Sequence, residues 1–337
     1  MDKKNLKKIL DGLKDVTVTV IGDFFLDKYL MIDPDLDEPS LETGLTAYQV
    51  TGKELYPGAA GTVVKDLIAM GVGNVRCVGI IGRDGEGAEL IAALTDLKAD
   101  TSGLIATDKR QTCTYTKPVI RGRNGEKREI NRLDLKNFTE TPSDLTEELE
   151  IKLLHAIKKS RAVIAVDQLN ERNYGVITDD IRDYLGRLKD EFPKVVMFGD
   201  SRGYISEYKN MVIKCNDTEA VRILKPDAGG GKPDAALVKE CGLLFNKKTG
   251  RPVFITLGED GMLVFDGECV HAPGIKVEGP VDICGAGDAA TAGIVSALVM
   301  GAGTADAAAL GNMAASVAVR QLGVTGSASP EQILELI

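Results

Sequence analysis

Near the C-terminal end runs Asp282-Ile-Cys-Gly-Ala-Gly-Asp288, followed by the small, apolar Ala-Ala-Thr-Ala-Gly-Ile-Val-Ser-Ala-Leu. Glycines at a strand-to-helix turn leave backbone N–H groups free at the start of a helix, which is a place for an anion. A carboxylate beside such a nest opposes anion binding unless it takes a proton. The run therefore points to phosphoryl transfer. Gly285, Ala286 and Gly287 would donate to phosphoryl oxygens, and Asp288 would accept the proton of an attacking alcohol, which is a poor nucleophile at neutral pH. The competing account is a tight junction with the aspartate as a helix cap.

Other residues fit the same chemistry. Asn216-Asp-Thr-Glu219 follows an apolar stretch, and residues three apart at a helix start share a face. Asn216 and Glu219 are candidates to hold magnesium through water, or else to form a capping box. Thr256 and Gly258, before Gly261, can line nucleotide phosphates, although a ligand-free hairpin explains the same residues. Asn312 lies in an apolar run rich in small residues, suited to lie near adenine or simply to pack. Asp23, after the first strand, can accept hydrogen bonds from sugar hydroxyls. Gly58, Ala59, Gly61 and Thr62 begin a helix that offers backbone donors to a polar substrate. Arg132, Lys117, Arg121 and Arg128 would favour a phosphorylated acceptor, or merely be solvated.

These residues need a frame. Strands are expected at 16–22, about 75–80, 162–167, 194–199, 211–214 and 253–256. Helices are expected at 59–70, about 87–98, 144–158 and 175–190. That alternation implies a largely parallel sheet covered on both faces, with ligands at the C-terminal ends of its strands. Segments 29–56 and 111–133 break the rhythm. The second contains Asn124-Gly125, a hairpin turn signal. Together they are expected to form a small sheet that serves as a lid or a dimer contact. Residues 227–233 read as a flexible connection, without the Gly-Lys-Ser/Thr ending of a phosphate loop.

Composition narrows the class. The 337 residues carry a formal charge of -9, which argues against a nucleic-acid partner. Cys77, Cys113, Cys215, Cys241, Cys269 and Cys284 form no close pair, and there are two histidines, so no zinc site is expected. No run reaches the length of a membrane span and no signal-like segment is seen, so a cytoplasmic enzyme with no membrane partner is expected.

In order and spacing, these motifs resemble the ribokinase-like, or PfkB-type, carbohydrate kinases over roughly residues 16–333. They are Gly22-Asp23; Pro57-Gly58-Ala-Ala-Gly61; Gly79-Ile-Ile-Gly82-Arg-Asp84-Gly-Glu-Gly87; Asn216-Asp-Thr-Glu219; Thr256-Leu-Gly258-Glu-Asp-Gly261; and the Asp282–Asp288 run. The resemblance implies one kinase domain over 1–337, a three-layer α/β/α fold with a small β-sheet lid, often used in dimers. It implies ATP and magnesium as cofactors, a sugar or sugar phosphate as acceptor, Asp288 as base and Asp23 as the sugar's partner. It also implies a monovalent-cation site, with potassium as the candidate ion, at Asp282. Gly22-Asp23-Phe-Phe-Leu26-Asp27-Lys-Tyr29, Arg132-Leu-Asp134 and Asp200-Ser-Arg-Gly203 look closest to the heptose-7-phosphate kinase group. No attached nucleotidyltransferase is expected. The chain departs from that group's acceptor pattern, Pro-Gly-Gly-Ala-Ala-Asn with a second Asn one turn later: Thr62 and Asp66 stand at the two Asn positions. Those departures leave two alternatives open. One is a kinase of a nucleoside or other small alcohol, with a thin pocket closed by Phe24 and Phe25. The other is a non-catalytic sensor of nucleotide or sugar phosphate.

Overall fold

The computed structural model describes residues 1–122, 126–228 and 231–337. The chain begins with α1 (Lys3–Gly12), β1 (Thr17–Gly22), β2 (Phe24–Ile32), β3 (Glu38–Pro39), β4 (Thr46–Ala47), β5 (Val50–Ala59) and α2 (Ala60–Ala69). Next come β6 (Asn74–Gly82), α3 (Gly85–Asp96), β7 (Asp100–Thr107), β8 (Thr114–Arg121), β9 (Lys127–Glu129), β10 (Leu133–Leu135) and α4 (Ser143–Ile157). The second half holds β11 (Ala162–Asp167), α5 (Asp179–Glu191), β12 (Val196–Ser201), β13 (Val212–Asn216), α6 (Asp217–Leu224) and α7 (Ala235–Thr249). It closes with β14 (Val253–Thr256), β15 (Gly261–Asp266), β16 (Glu268–Pro273), α8 (Ala286–Val299), α9 (Thr304–Ala318) and α10 (Pro330–Leu334).

Nine strands form the body sheet in the order β16-β15-β14-β13-β12-β11-β1-β6-β7. Pairing is parallel from β14 to β7, and β15 and β16 add an antiparallel edge. The β-branched run of β1 is buried from Val18 onward because helices cover both faces. One face carries Leu6, Leu67, Leu90, Ile294 and Leu310 in a single apolar cluster; the other carries Leu149, Ile181, Val221 and Phe245. The small residues of α8 let α9 come close: a Cβ at Gly293 would stand 2.7 Å from the Leu310 carbonyl.

A second sheet, β10-β8-β2-β5 with β9 on β8, stands off the body. Strands β2 and β5 pair antiparallel over almost their whole length, then lead directly back into the body at Asp23 and α2. The expected segments 29–56 and 111–133 supply this sheet, though β2 starts earlier, at Phe24. The arms of the expected hairpin pair as Val119↔Glu129 to Arg121↔Lys127. Its Asn124-Gly125 turn lies outside the described residues, as do residues 229 and 230 of the expected connection. The helix expected from 175 starts at Asp179 instead: Thr178 caps it, and the Val176 N–H is held by the Asp23 carboxylate.

Candidate active site

The start of α8 lies over the C-terminal part of β12 and over β13, where Asp200 and Lys214 reach it. Gly285 has φ +82°, and a Cβ there would also overlap the Thr325 methyl, so glycine is required twice over. No side chain caps α8; the Ala286 N–H turns back to the Ile283 carbonyl at 3.2 Å, and the other N–H groups of the first turn are left to face an anion. Asp288 sits in that first turn without acting as a cap. Burial, and then the Asp200 carboxylate, push its carboxyl up to about 7; Lys214, Arg202 and Lys65 pull the other way. A base with that affinity is matched to work near neutral pH.

Beneath the nest is a cation that the sequence did not reveal. Lys214 is buried in the middle of the apolar β13. Its ammonium pairs with Asp200 at 2.8 Å, and the Thr291 hydroxyl on α8 donates to the same carboxylate at 2.9 Å. The Lys214 nitrogen is 3.4 Å from where a Cβ on Gly287 would lie. Burial alone would lower the affinity of this amine for its proton, but Asp200, Glu219 and Asp288 together outweigh it. The nest thus has a fixed positive charge under it.

On the nucleotide side, Asn216 and Glu219 form the capping box: the Glu219 N–H donates to Asn216 at 2.7 Å, and the Asn216 N–H donates to Glu219 at 2.9 Å. Burial raises the Glu219 carboxyl. Thr256 pairs with Asn216 across β13 and β14, which brings those two motifs together. Gly258, at φ +65°, faces open space. Gly261 does not line it: its α-carbon is packed against the backbone of Ala272 and Pro273. Asn312 is likewise turned inward, donating at 3.0 Å to the carbonyls of both Ala272 and Pro273, so its amide anchors α9 to β16.

The acceptor side needs the largest corrections. Asp23 does not present its carboxylate to the cleft. It is buried and accepts from the Val176 N–H at 2.7 Å and the Gln168 N–H at 3.1 Å, which locks β1 to neighbouring loops. Asp27, four residues on, is the carboxylate at the mouth: Lys117 holds it at 2.9 Å, and a Cβ on Gly58 would come within 2.5 Å of it. Its position after Asp23 was readable, but only the turn of β2 out of the body shows which acid faces out. Gly61 packs on Pro57, and Ala59 adopts φ 52°, ψ -117°, a region suited to glycine. Thr62 is buried, with its hydroxyl toward the Pro57 carbonyl, and its methyl is 3.9 Å from the Cβ position of Gly285. Asp66 is buried too, one turn further along α2. Thr62 and Asp66 therefore underlie the nest and do not line the far end of the cleft. Arg132 is paired with Asp134 and stacks 4.3 Å from the Tyr115 ring centroid. Phe24 and Phe25 are buried against a cavity of about 20 Å³, room for one water molecule and not for a nucleoside base. Asp282 accepts from the Cys284 N–H at 3.0 Å and the Gly323 N–H at 3.2 Å, clamping two loops together.

The family model for pfkB family carbohydrate kinases matches residues 26–332. The chain belongs to that family. It is 28% identical over 341 residues to the bifunctional protein HldE of Geobacter metallireducens, covering 99% of this chain and 65% of that protein. The HldE of Geobacter sulfurreducens is 29% identical over 343 residues, again covering 99% and 65%. The chain thus spans about 65% of the length of these curated relatives. Among solved structures, Escherichia coli phosphofructokinase-2 in complex with potassium superposes with a TM-score of 0.71 at 17% identity, covering 95% of this chain and 98% of that one. Arabidopsis thaliana ribokinase complexed with ribose and ATP gives 0.67 at 18%, covering 95% and 98%. The ribokinase-like fold expected from the motifs is therefore established, together with membership of the pfkB family of carbohydrate kinases. Among the described residues no helix is long and apolar enough to cross a membrane, and no three His, Cys, Asp or Glu side chains cluster to hold a metal ion.

Proposed function

We propose that this pfkB kinase moves the γ-phosphoryl group of ATP to a hydroxyl of a phosphorylated sugar of the heptose 7-phosphate kind, with Asp288 as base. The observation that carries the reading is the uncapped start of α8, with Asp288 in its first turn and the Lys214 ammonium beneath it. The acceptor O–H gives its proton to Asp288, its oxygen bonds to the γ-phosphorus, and the bond to the ADP oxygen breaks. Gly285 to Gly287 and Lys214 balance the charge on the transferring group. The uncapped nest and the open space at Gly258 suit the triphosphate. Magnesium would neutralise the phosphate charge, held by Glu219 and Asn216 through water while their capping bonds persist. Asp282 is the candidate for a potassium ion.

A phosphorylated acceptor is supported by the cations around the cleft. Arg132 and Lys136 flank the Tyr115 ring, at 4.3 and 6.0 Å from its centroid, and Lys117 stands beside Asp27. The charge of Arg202 acts on both Tyr115 and Asp288. Asp27 would hold a sugar hydroxyl. The small sheet would close over the acceptor to exclude water. Exposed Leu133 on that sheet, Leu41 and Leu45 in the β3–β4 connection and Phe138 just after β10 support a homodimer formed through this face.

The test is ADP release from purified protein with magnesium and potassium, against sugars, sugar phosphates and nucleosides. A sugar phosphate should be preferred, and Asp288→Asn should lower kcat by about 10²–10⁴-fold. Full turnover by that variant would remove Asp288 as base. Tight binding of ATP and a sugar phosphate without ADP formation would instead make the protein a sensor.

A further inference from the structure

Among the described residues, Asp66 is a buried carboxylate for which both oxygens lack a close partner. It is 1% exposed on α2; no donor makes a well-formed hydrogen bond to either carboxylate oxygen, and only the Ser327 side chain stands near enough to act as a weak one. Buried carboxylates ordinarily accept two or three N–H bonds, as Asp23 does from Val176 and Gln168. Asp66 has none. Its surroundings are those of the catalytic centre. Thr62, one turn earlier, touches the space at Gly285, and α2 packs along α8, whose first turn carries Asp288. The Asp288 carboxylate opposes a charge on Asp66, while Lys65 and Ser327 favour one. The Lys65 ammonium is already engaged, against the Thr325 carbonyl on the loop that backs Gly285.

We propose, building on the kinase reading, that Asp66 is a positioning residue which works as a neutral carboxylic acid beneath the phosphoryl nest, and that its ionisation weakens the hold of the nest on the nucleotide. The neutral acid has nearly the shape of the Asn amide that stands at this position in the heptose-7-phosphate kinase pattern. It adds no charge beneath the N–H groups that receive the γ-phosphoryl. Once ionised, it places a second negative charge beside Asp288, under a nest that must bind a more highly charged group. Burial, followed by the effect of Asp288, holds its carboxyl well above the ordinary carboxylate range, against the opposing pull of Lys65.

The experiment compares wild type with Asp66→Asn, which keeps the shape and cannot ionise. Binding of the magnesium complex of adenylyl imidodiphosphate is measured by calorimetry from about pH 6 to 9.5, together with thermal melting. The ratio of the two proteins' affinities cancels titration of the ligand and of Asp288. Wild type should lose about tenfold or more relative to the variant as pH rises. Melting has a fixed sign: a carboxyl raised in the folded state binds a proton there that the unfolded chain has released. Wild-type stability should therefore fall relative to the variant as pH rises. A constant affinity ratio would overturn the proposal, as would parallel melting curves. Should Asp66→Asn fail to fold, Asp66→Ser serves in its place under the same criteria. Neither measurement needs an acceptor or turnover. Failure of ADP release with every acceptor would thus sink the kinase reading and leave the result on Asp66 standing.

Discussion

The sharpest consequence of the site is its pH dependence, because two buried charges act on Asp288 in opposite directions. A base must be ionised to work, so kcat/KM should fall as Asp288 protonates. With its carboxyl near 7, about nine-tenths is ionised at pH 8 and about one-tenth at pH 6, a fall of about tenfold. An ordinary aspartate near 4 would give a flat profile over the same range. Asp200→Asn removes the carboxylate that raises Asp288 and releases the Lys214 charge that lowers it. Both changes move the limb to lower pH. For a shift of about one unit, the ionised fraction at pH 6 rises to about one-half, so activity relative to the variant's own plateau should be about fivefold higher than for wild type. Lys214→Met removes a charge that favours ionised Asp288, and should move the limb to higher pH. The assay is ADP release at subsaturating acceptor across about pH 5.5–9, with melting run alongside to exclude unfolding. A limb that stays in place in both variants, or moves the same way in both, refutes the claim that this charge cluster sets the base.

Two further outcomes follow from strain and from surface. Ala59 holds a backbone conformation suited to glycine where the small sheet joins α2. Ala59→Gly should therefore raise stability by about 1 kcal/mol or more, read by chemical denaturation, despite glycine's looser unfolded chain; a net loss would mean the strain is absent. The exposed Leu133 of the small sheet and Leu41 in the β3–β4 connection should help hold two copies together. Sedimentation should show a dimer that Leu41→Lys with Leu133→Lys makes monomeric, and a wild type monomeric at all accessible concentrations would refute the contact.

The fold was legible in the sequence because its signals are local and repeated. The β-branched run at 16–22, the small-residue helices around Ala60 and Ala290, and the glycine turns at Gly258 and Gly285 each announce their element. Their order alone implies a parallel sheet with a site at its strand ends. The helix beginning at Asp179 was misplaced because a contact distant in sequence, Asp23 with the Val176 N–H, takes the chain before Thr178 caps it.

The site divides along the same line. The types and spacing in Gly285-Ala-Gly-Asp288 determine an anion nest with an acid in it, since glycine at positive φ and an uncapped helix start are properties of a few adjacent residues. Which other groups surround that acid is a matter of tertiary structure. Asp23 and Asp27 are alike in sequence, but a turn in the chain buries one and leaves the other half-buried against Lys117. Lys214 reads as an interruption of an apolar strand until Asp200 and Gly287 come to either side of it. Thr62 and Asp66 read as acceptor residues, yet packing of α2 on α8 puts them under the nest. Charge and burial act through space at ranges of a few ångströms. Residues more than two hundred positions apart can therefore set the proton affinity of one carboxylate, and no local pattern records that they meet.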